Sequence, residues 1–197
     1  MTKGEETRQR IVEKAAALLN QRGFSGFSMS ALMEATGLEK GGIYRHFDSK
    51  EQLAAEAFEY AWQTALGTRM RDLESISNSI EWLRQFITNF VQRRSTVPGG
   101  CPLFNTAVDA DDGNPVLRQL ALRALRGWRD DLVRVVKHGI ECREIKRETN
   151  PKELADIIIS SLEGDLMMSR LEGDKEAMLI TQSFLNSYLD TQIRLRR

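Results

Sequence analysis

Ser28-Met29-Ser30-Ala31-Leu32-Met33-Glu34-Ala35-Thr36-Gly37-Leu38-Glu39-Lys40-Gly41-Gly42-Ile43-Tyr44-Arg45-His46-Phe47-Asp48-Ser49-Lys50 is the stretch that decides the fold. Ser28 stands where a helix N-cap belongs, because a serine hydroxyl accepts from the free N–H groups of a first turn. Met29 to Thr36 then read as a short helix that Gly37 ends. Leu38 to Phe47 read as a second one, and Asp48-Ser49 cap a third from about Lys50 to about Met70. Two short helices joined by a tight turn at a glycine make a helix-turn-helix, whose second helix enters the DNA major groove.

Outward from this stretch the apolar periodicity is helical. Ile11, Ala15, Leu18, Leu19 and Arg22 recur at steps of three and four, which predicts a helix from about Glu6 to Arg22, stopped by Gly23. Ser79 opens a segment in which Ile80, Leu83, Phe86, Ile87, Phe90 and Val91 share one stripe. Val97-Pro98-Gly99-Gly100-Cys101-Pro102 is the strongest loop signal, followed by a short helical turn, Leu103 to Val108, and an acidic loop, Asp109 to Gly113. Asn114-Pro115 and Asn150-Pro151 are N-caps with proline at the first helical position. They open a helix to about Cys142 and another over Lys152 to Leu171. A last helix begins at Gly173-Asp174 and carries Met178, Leu185, Tyr188, Leu189 and Gln192. No strand pattern competes, so the fold class is all-α with about nine helices. The expected division is residues 1–50 for the DNA reader, with a connecting helix to about residue 70, and 51–197 for a second helical domain.

Composition sets the outer limits. The 197 residues are 41% apolar and 28% charged, ordinary values for a globular chain. Lys plus Arg and Asp plus Glu each total 28, so formal charge is zero and does not by itself announce a partner of phosphates. Residues 1–50 carry eight basic and six acidic side chains, a small positive excess. No basic start followed by an apolar run suggests a leader, and no apolar run approaches the roughly 20 residues of a membrane span. Cys101 and Cys142 do not make a disulfide framework, and a reducing cytoplasm is the simplest compartment. Sequence gives no distance, so a bridge between the two stays open.

Within the motif, Gly41 and Gly42 weaken the helix they begin, but they remove side chains where the backbone must approach another surface. Tyr44 and His46 offer donors to phosphate oxygens. Lys50, at a helix start, and Ser28, with free N–H groups behind it, are placed for anions. Phe47 reads as a core aromatic.

Gly37-Leu38-Glu39-Lys40-Gly41-Gly42-Ile43-Tyr44-Arg45-His46-Phe47-Asp48-Ser49-Lys50 resembles the DNA-binding signature of the TetR family of bacterial repressors, with a dense match over residues 8–60. The resemblance implies that Lys40, Gly41, Gly42 and Ile43 face base edges and backbone in the major groove, and that Ser28, Tyr44, His46 and Lys50 hold phosphates. Members often carry Ser or Thr where this chain has Glu39, which therefore stands outside the phosphate set. The rest of the chain is similar to the family in architecture only: a variable helical domain whose last two helices usually pair with a second subunit. Gly99-Gly100-Cys101-Pro102-Leu103 resembles a Gly-Cys-(Pro or Leu) loop in one subgroup, some members of which sense electrophiles or oxidants. Cys101 is thus a redox candidate, placed just before a short helix whose N-terminus would favour a thiolate; its alternative reading is a small buried residue in a tight glycine-rich turn. Cys142, near a helix end, reads as structural.

The second half supports both expected tasks. Leu154, Ile157, Ile158, Leu162 and Leu166 lie on one side of their helix, and Ile159, Met167, Met168 and Leu171 extend the apolar surface beyond it. Two apolar sides need two partners, the chain's own core and a sister subunit. Two-fold symmetry would place two recognition helices in successive major grooves about 34–36 Å apart. Trp62, Phe86, Phe90, Phe104 and Trp128 fall at inward-facing spacings. Each alone reads as core; a cavity among them would take an apolar or aromatic small-molecule effector. Arg123 and Arg126 read as solvated. An enzyme is disfavoured, since His46 and His138 are the only histidines and no phosphate loop, nucleophile elbow or zinc spacing appears; no metal or cofactor is expected. The expected function is a homodimeric repressor on a palindromic double-stranded operator. Its alternatives are a thiol sensor acting through Cys101 and a DNA-binding dimer without an effector.

Overall fold

A computed structural model describes residues 2–110 and 113–196. Asp111 and Asp112, in the expected acidic loop, lie outside the described residues. The described residues form nine α-helices and no strand: α1 (Lys3–Gly26), α2 (Met29–Thr36), α3 (Lys40–Tyr44), α4 (Lys50–Met70), α5 (Ser79–Gln92), α6 (Pro102–Ala110), α7 (Pro115–Glu141), α8 (Pro151–Glu172) and α9 (Glu176–Tyr188), closed by a π turn, Leu189–Ile193. No helix among them is long and apolar enough to cross a membrane.

Local chemistry explains most of the boundaries. Thr2 and Glu5 form a capping box at the start of α1. Asn78, Asn114 and Asn150 accept from the first-turn N–H groups of α5, α7 and α8. Gly23, at φ 67° and ψ 178°, breaks the regular α1 geometry at the expected stop, although the helical segment resumes to Gly26. The shortest helix departs from expectation. α3 spans only Lys40–Tyr44 because Glu39 caps it without a side-chain hydrogen bond and two of its five residues are glycine.

The chain parts into two compact units, residues 1–65 with 95–124, and residues 66–94 with 125–197. The divisions fall inside α4 and α7 and in the segment between α5 and α6. In the first unit a polar knot joins α1 to α6. Asn20, buried on the apolar face of α1, donates through Nδ2 to the Pro98 carbonyl at 2.8 Å. Asn105 of α6 donates back to Asn20 Oδ1 at 2.9 Å and to the Gly99 carbonyl at 2.8 Å. Asp109 completes the join by accepting from the Phe24 N–H at 2.7 Å. The core of this unit contains Ile11, Ala15, Leu19, Leu32, Ile43, Phe47, Leu53 and Phe58.

In the second unit α8 packs on α9, and α5 on both. Leu83, Phe86, Ile87, Leu132, Val136, Leu154, Ile158, Leu162 and Leu185 are buried there. The end of the chain is stitched to the turn after α7. Lys146 N–H donates to the Ile193 carbonyl at 3.0 Å and Leu195 N–H to the Glu144 carbonyl at 2.9 Å. The Glu144 carboxylate in turn accepts from Ser79 N–H at 2.7 Å, at the start of α5.

Candidate nucleic-acid interface

The first unit presents α2, a left-handed turn at Gly37 (φ 69°) and α3 as one hydrogen-bonded module. Leu32 and Ile43 are wholly buried and pin the two helices to the core. Ile43 thus has no side-chain surface to offer a base edge; it serves by anchoring α3. Lys40 and Gly41 are exposed and Gly42 half-exposed. A Cβ built on Gly41 would meet nothing within 4 Å, and one on Gly42 would make only ordinary contact with Leu38 Cβ at 3.8 Å. Neither has the positive φ that would demand glycine. Each glycine costs a helix interior about 1 kcal/mol relative to alanine, so the fold gains nothing from them. What they provide is a bare stretch of backbone on the outer face.

Around that face stand the other expected residues. Tyr44 is exposed, and Lys40 Nζ lies 5.8 Å from its ring centroid. His46 is half-buried beside Phe47. Ser28 Oγ accepts from Ala31 N–H at 3.2 Å and so caps α2. Lys50 is more constrained than sequence suggests: Nζ donates to the Phe24 carbonyl at 3.0 Å and lies 4.2 Å from the Phe24 ring centroid. A second cation, Arg8, sits 4.8 Å from the centroid of Phe47 and pairs with Glu56 at 2.6 Å. Arg8 was invisible to motif reading because its partners are distant in sequence.

The expected effector aromatics divide. Phe86, Phe90 and Trp128 come together in the second unit; the Phe90 and Trp128 rings are stacked at 6.1 Å, and Phe86 meets Trp128 at 6.1 Å and 57°. Trp82 extends the series by stacking on Phe86 at 5.7 Å. Trp62, buried, and Phe104, half-buried, belong to the first unit. Sequence reading missed the charges in the second cluster, Arg69 and Glu163, both buried. The available signal was Glu163 following Leu162 on the inward side of α8.

Neither cysteine is in a disulfide. Cys101 directly precedes α6, as expected, but is buried in the first unit. Cys142 is the exposed one, with Sγ 3.6 Å from His138 Nε2. No cluster of three or more potential metal ligands occurs among the described residues.

Residues 11–57 match the family model for the N-terminal domain of bacterial regulatory proteins of the tetR family, and residues 79–183 the tetracyclin repressor-like C-terminal domain. A TetR transcriptional regulator from Chloroflexus aurantiacus is 40% identical, with TM-score 0.94 and all of both chains covered. A TetR-family regulator from Cytophaga hutchinsonii is 30% identical, with TM-score 0.91 over 100% of this chain and 99% of that one. The transcriptional repressor DhaR of Mycobacterium sp. is 28% identical over 87% of this chain and 86% of its own length. With both halves of the chain matched and full-length relatives at this identity, the chain belongs to the TetR family of bacterial helix-turn-helix transcriptional regulators.

Proposed function

We infer that the protein represses transcription as a homodimer on a palindromic operator, and that an effector entering the second unit releases it. The observation that carries the DNA reading is Gly41: exposed, with open space beyond it and no conformational demand for glycine. The Gly41-Gly42 backbone would lie against the major groove with Lys40 beside it, and Ser28, Tyr44, His46 and Lys50 would hold phosphates. Dimerisation is supported by α8 and α9. Met167, Met168, Leu171, Leu179, Ile180 and Phe184 are large, apolar and exposed on these two helices. The exposed Ser160 and Gly164 continue the α8 stripe with small side chains that permit close helix approach. An isologous interface there buries the same residues twice. Phe86, Phe90 and Trp128 are the second unit's candidates for contacting an effector. A thiol response through Cys101 would first require the loop at 98–102 to open, since its side chain is buried.

The test is a gel shift on the intergenic DNA upstream of the protein's own gene, with salt titration. Wild type should bind specifically and weaken steeply with salt, and Lys50→Ala and Tyr44→Phe should each weaken it. Salt-insensitive binding, or none, would remove the DNA reading.

A further inference from the structure

Arg69 lies in the last turn of α4 and is buried, and so is the residue it pairs with, Glu163 of α8. Its guanidinium carbon is 4.2 Å from the ring centroid of Phe90 and 5.1 Å from that of Trp128. Two aromatic faces and a carboxylate thus lie around this positive group. Aromatic faces and carboxylates both attract cations and repel anions, so this setting selects by charge. Two features make this arrangement more than a packing solution. A buried ion pair stabilises a core less well, in general, than apolar side chains of the same volume. The contact from Arg69 Nη1 to Glu163 Oε1 is also 3.4 Å, longer than the roughly 2.7–2.9 Å of a charge-assisted hydrogen bond. The backbone beneath is held independently: Asn89 Nδ2 donates to the carbonyls of Arg69 at 3.0 Å and Arg71 at 2.8 Å. The end of α4 is thus tied through its backbone as well as through the guanidinium, and Arg71 and Asp72 next to it are exposed.

We propose that the space bounded by Phe90, Trp128 and Glu163 is a binding site for a small organic cation, filled in the resting protein by the chain's own Arg69. An external guanidinium or quaternary ammonium group takes the place of the side chain, which swings into solvent. This deepens the effector reading above by naming the class of ligand, but the binding is measured without DNA.

In the full-length chain, Arg69→Ala opens the site. Millimolar ethylguanidinium should raise the unfolding midpoint of this variant by several degrees, and the neutral analogue ethylurea should not. Adding Glu163→Gln should abolish the rise. Intrinsic tryptophan fluorescence should show saturable ethylguanidinium binding to the wild type as well, about tenfold weaker than to Arg69→Ala because Arg69 must first leave. Should Arg69→Ala fail to fold, the wild type and Glu163→Gln carry the test, with saturation expected only in the wild type. An equal rise with ethylurea, retention of binding in Glu163→Gln, or no saturable binding by the wild type would overturn the proposal. Failure of the gel shift would remove the DNA reading alone and leave this titration standing.

Discussion

Two glycines make opposite demands, and substitution separates them. Gly99 has φ +113°, and a Cβ there would lie 2.7 Å from the Asn20 carbonyl oxygen. Gly99→Ala should therefore cost about 1–3 kcal/mol through backbone strain, with the clash adding to it, as measured by urea unfolding. Gly41→Ala should instead stabilise the protein by about 0.5–1 kcal/mol, the helix-propensity gain at an open position, while weakening operator binding in the gel shift. A loss of stability at Gly41, or unchanged DNA binding, would return that glycine to a purely structural role. The bare backbone at 41–42 was legible in the sequence because the whole reading motif is local. The reason for Gly99 was not: the loop is plain in Pro98-Gly99-Gly100-Cys101-Pro102, but its partner Asn20 lies on a distant helix. Cys101 takes the buried one of its two readings. Burial depends on what α1 and the loop do together.

Helix ends that rest on a cap within a few residues were readable, and those set by distant packing were not. Ser28, Asn114 and Asn150 act as the caps expected of them. Gly173, expected to open the last helix, instead terminates α8 by donating its N–H to the Ser169 carbonyl, so α9 starts only at Glu176. Between α7 and α8 a charge cluster was also invisible to periodicity. Asp156 accepts from Lys152 Nζ at 3.0 Å and from Arg129 Nε. Burial pushes this carboxyl upward, but the two hydrogen bonds and charges outweigh it and hold the carboxyl below its ordinary range. A lowered folded pKa gives stability that is present above the unfolded value, about 3.9, and is lost as pH falls through the depressed one. Asp156→Asn should therefore unfold more readily than wild type at neutral pH by about 0.5–1 kcal/mol, a small effect because the site is part-exposed. The gap should close progressively below about pH 4. Thermal melts at both ends of that range check it; a gap independent of pH would mean the side chain acts by packing.

For the molecule as a whole, the proposed interface is the exposed apolar face of α8 and α9. Phe184→Glu should convert the proposed dimer to monomer in sedimentation, with helix content kept. The cost is roughly 3–5 kcal/mol for a buried charge without a partner, and symmetry imposes it twice. A monomeric wild type, or a variant that stays dimeric, would move the interface elsewhere. Of the residues read from spacing as a second apolar side of α8, Met167, Met168 and Leu171 are exposed, whereas Ile159 is buried; the join of α1 to α6 through Asn20 and Asp109 had no local signal. The stitch between residues 144–146 and 193–195 also bears on ancestry. It brings the start and finish of the α8–α9 segment to one place, so that segment enters and leaves the fold at neighbouring points. Recombination between relatives could exchange it without rerouting the remaining chain. Under the proposed dimer, that separates two inheritances: a lineage could acquire a new self-recognition surface, and so stop cross-pairing with its duplicate, while keeping the operator it already reads.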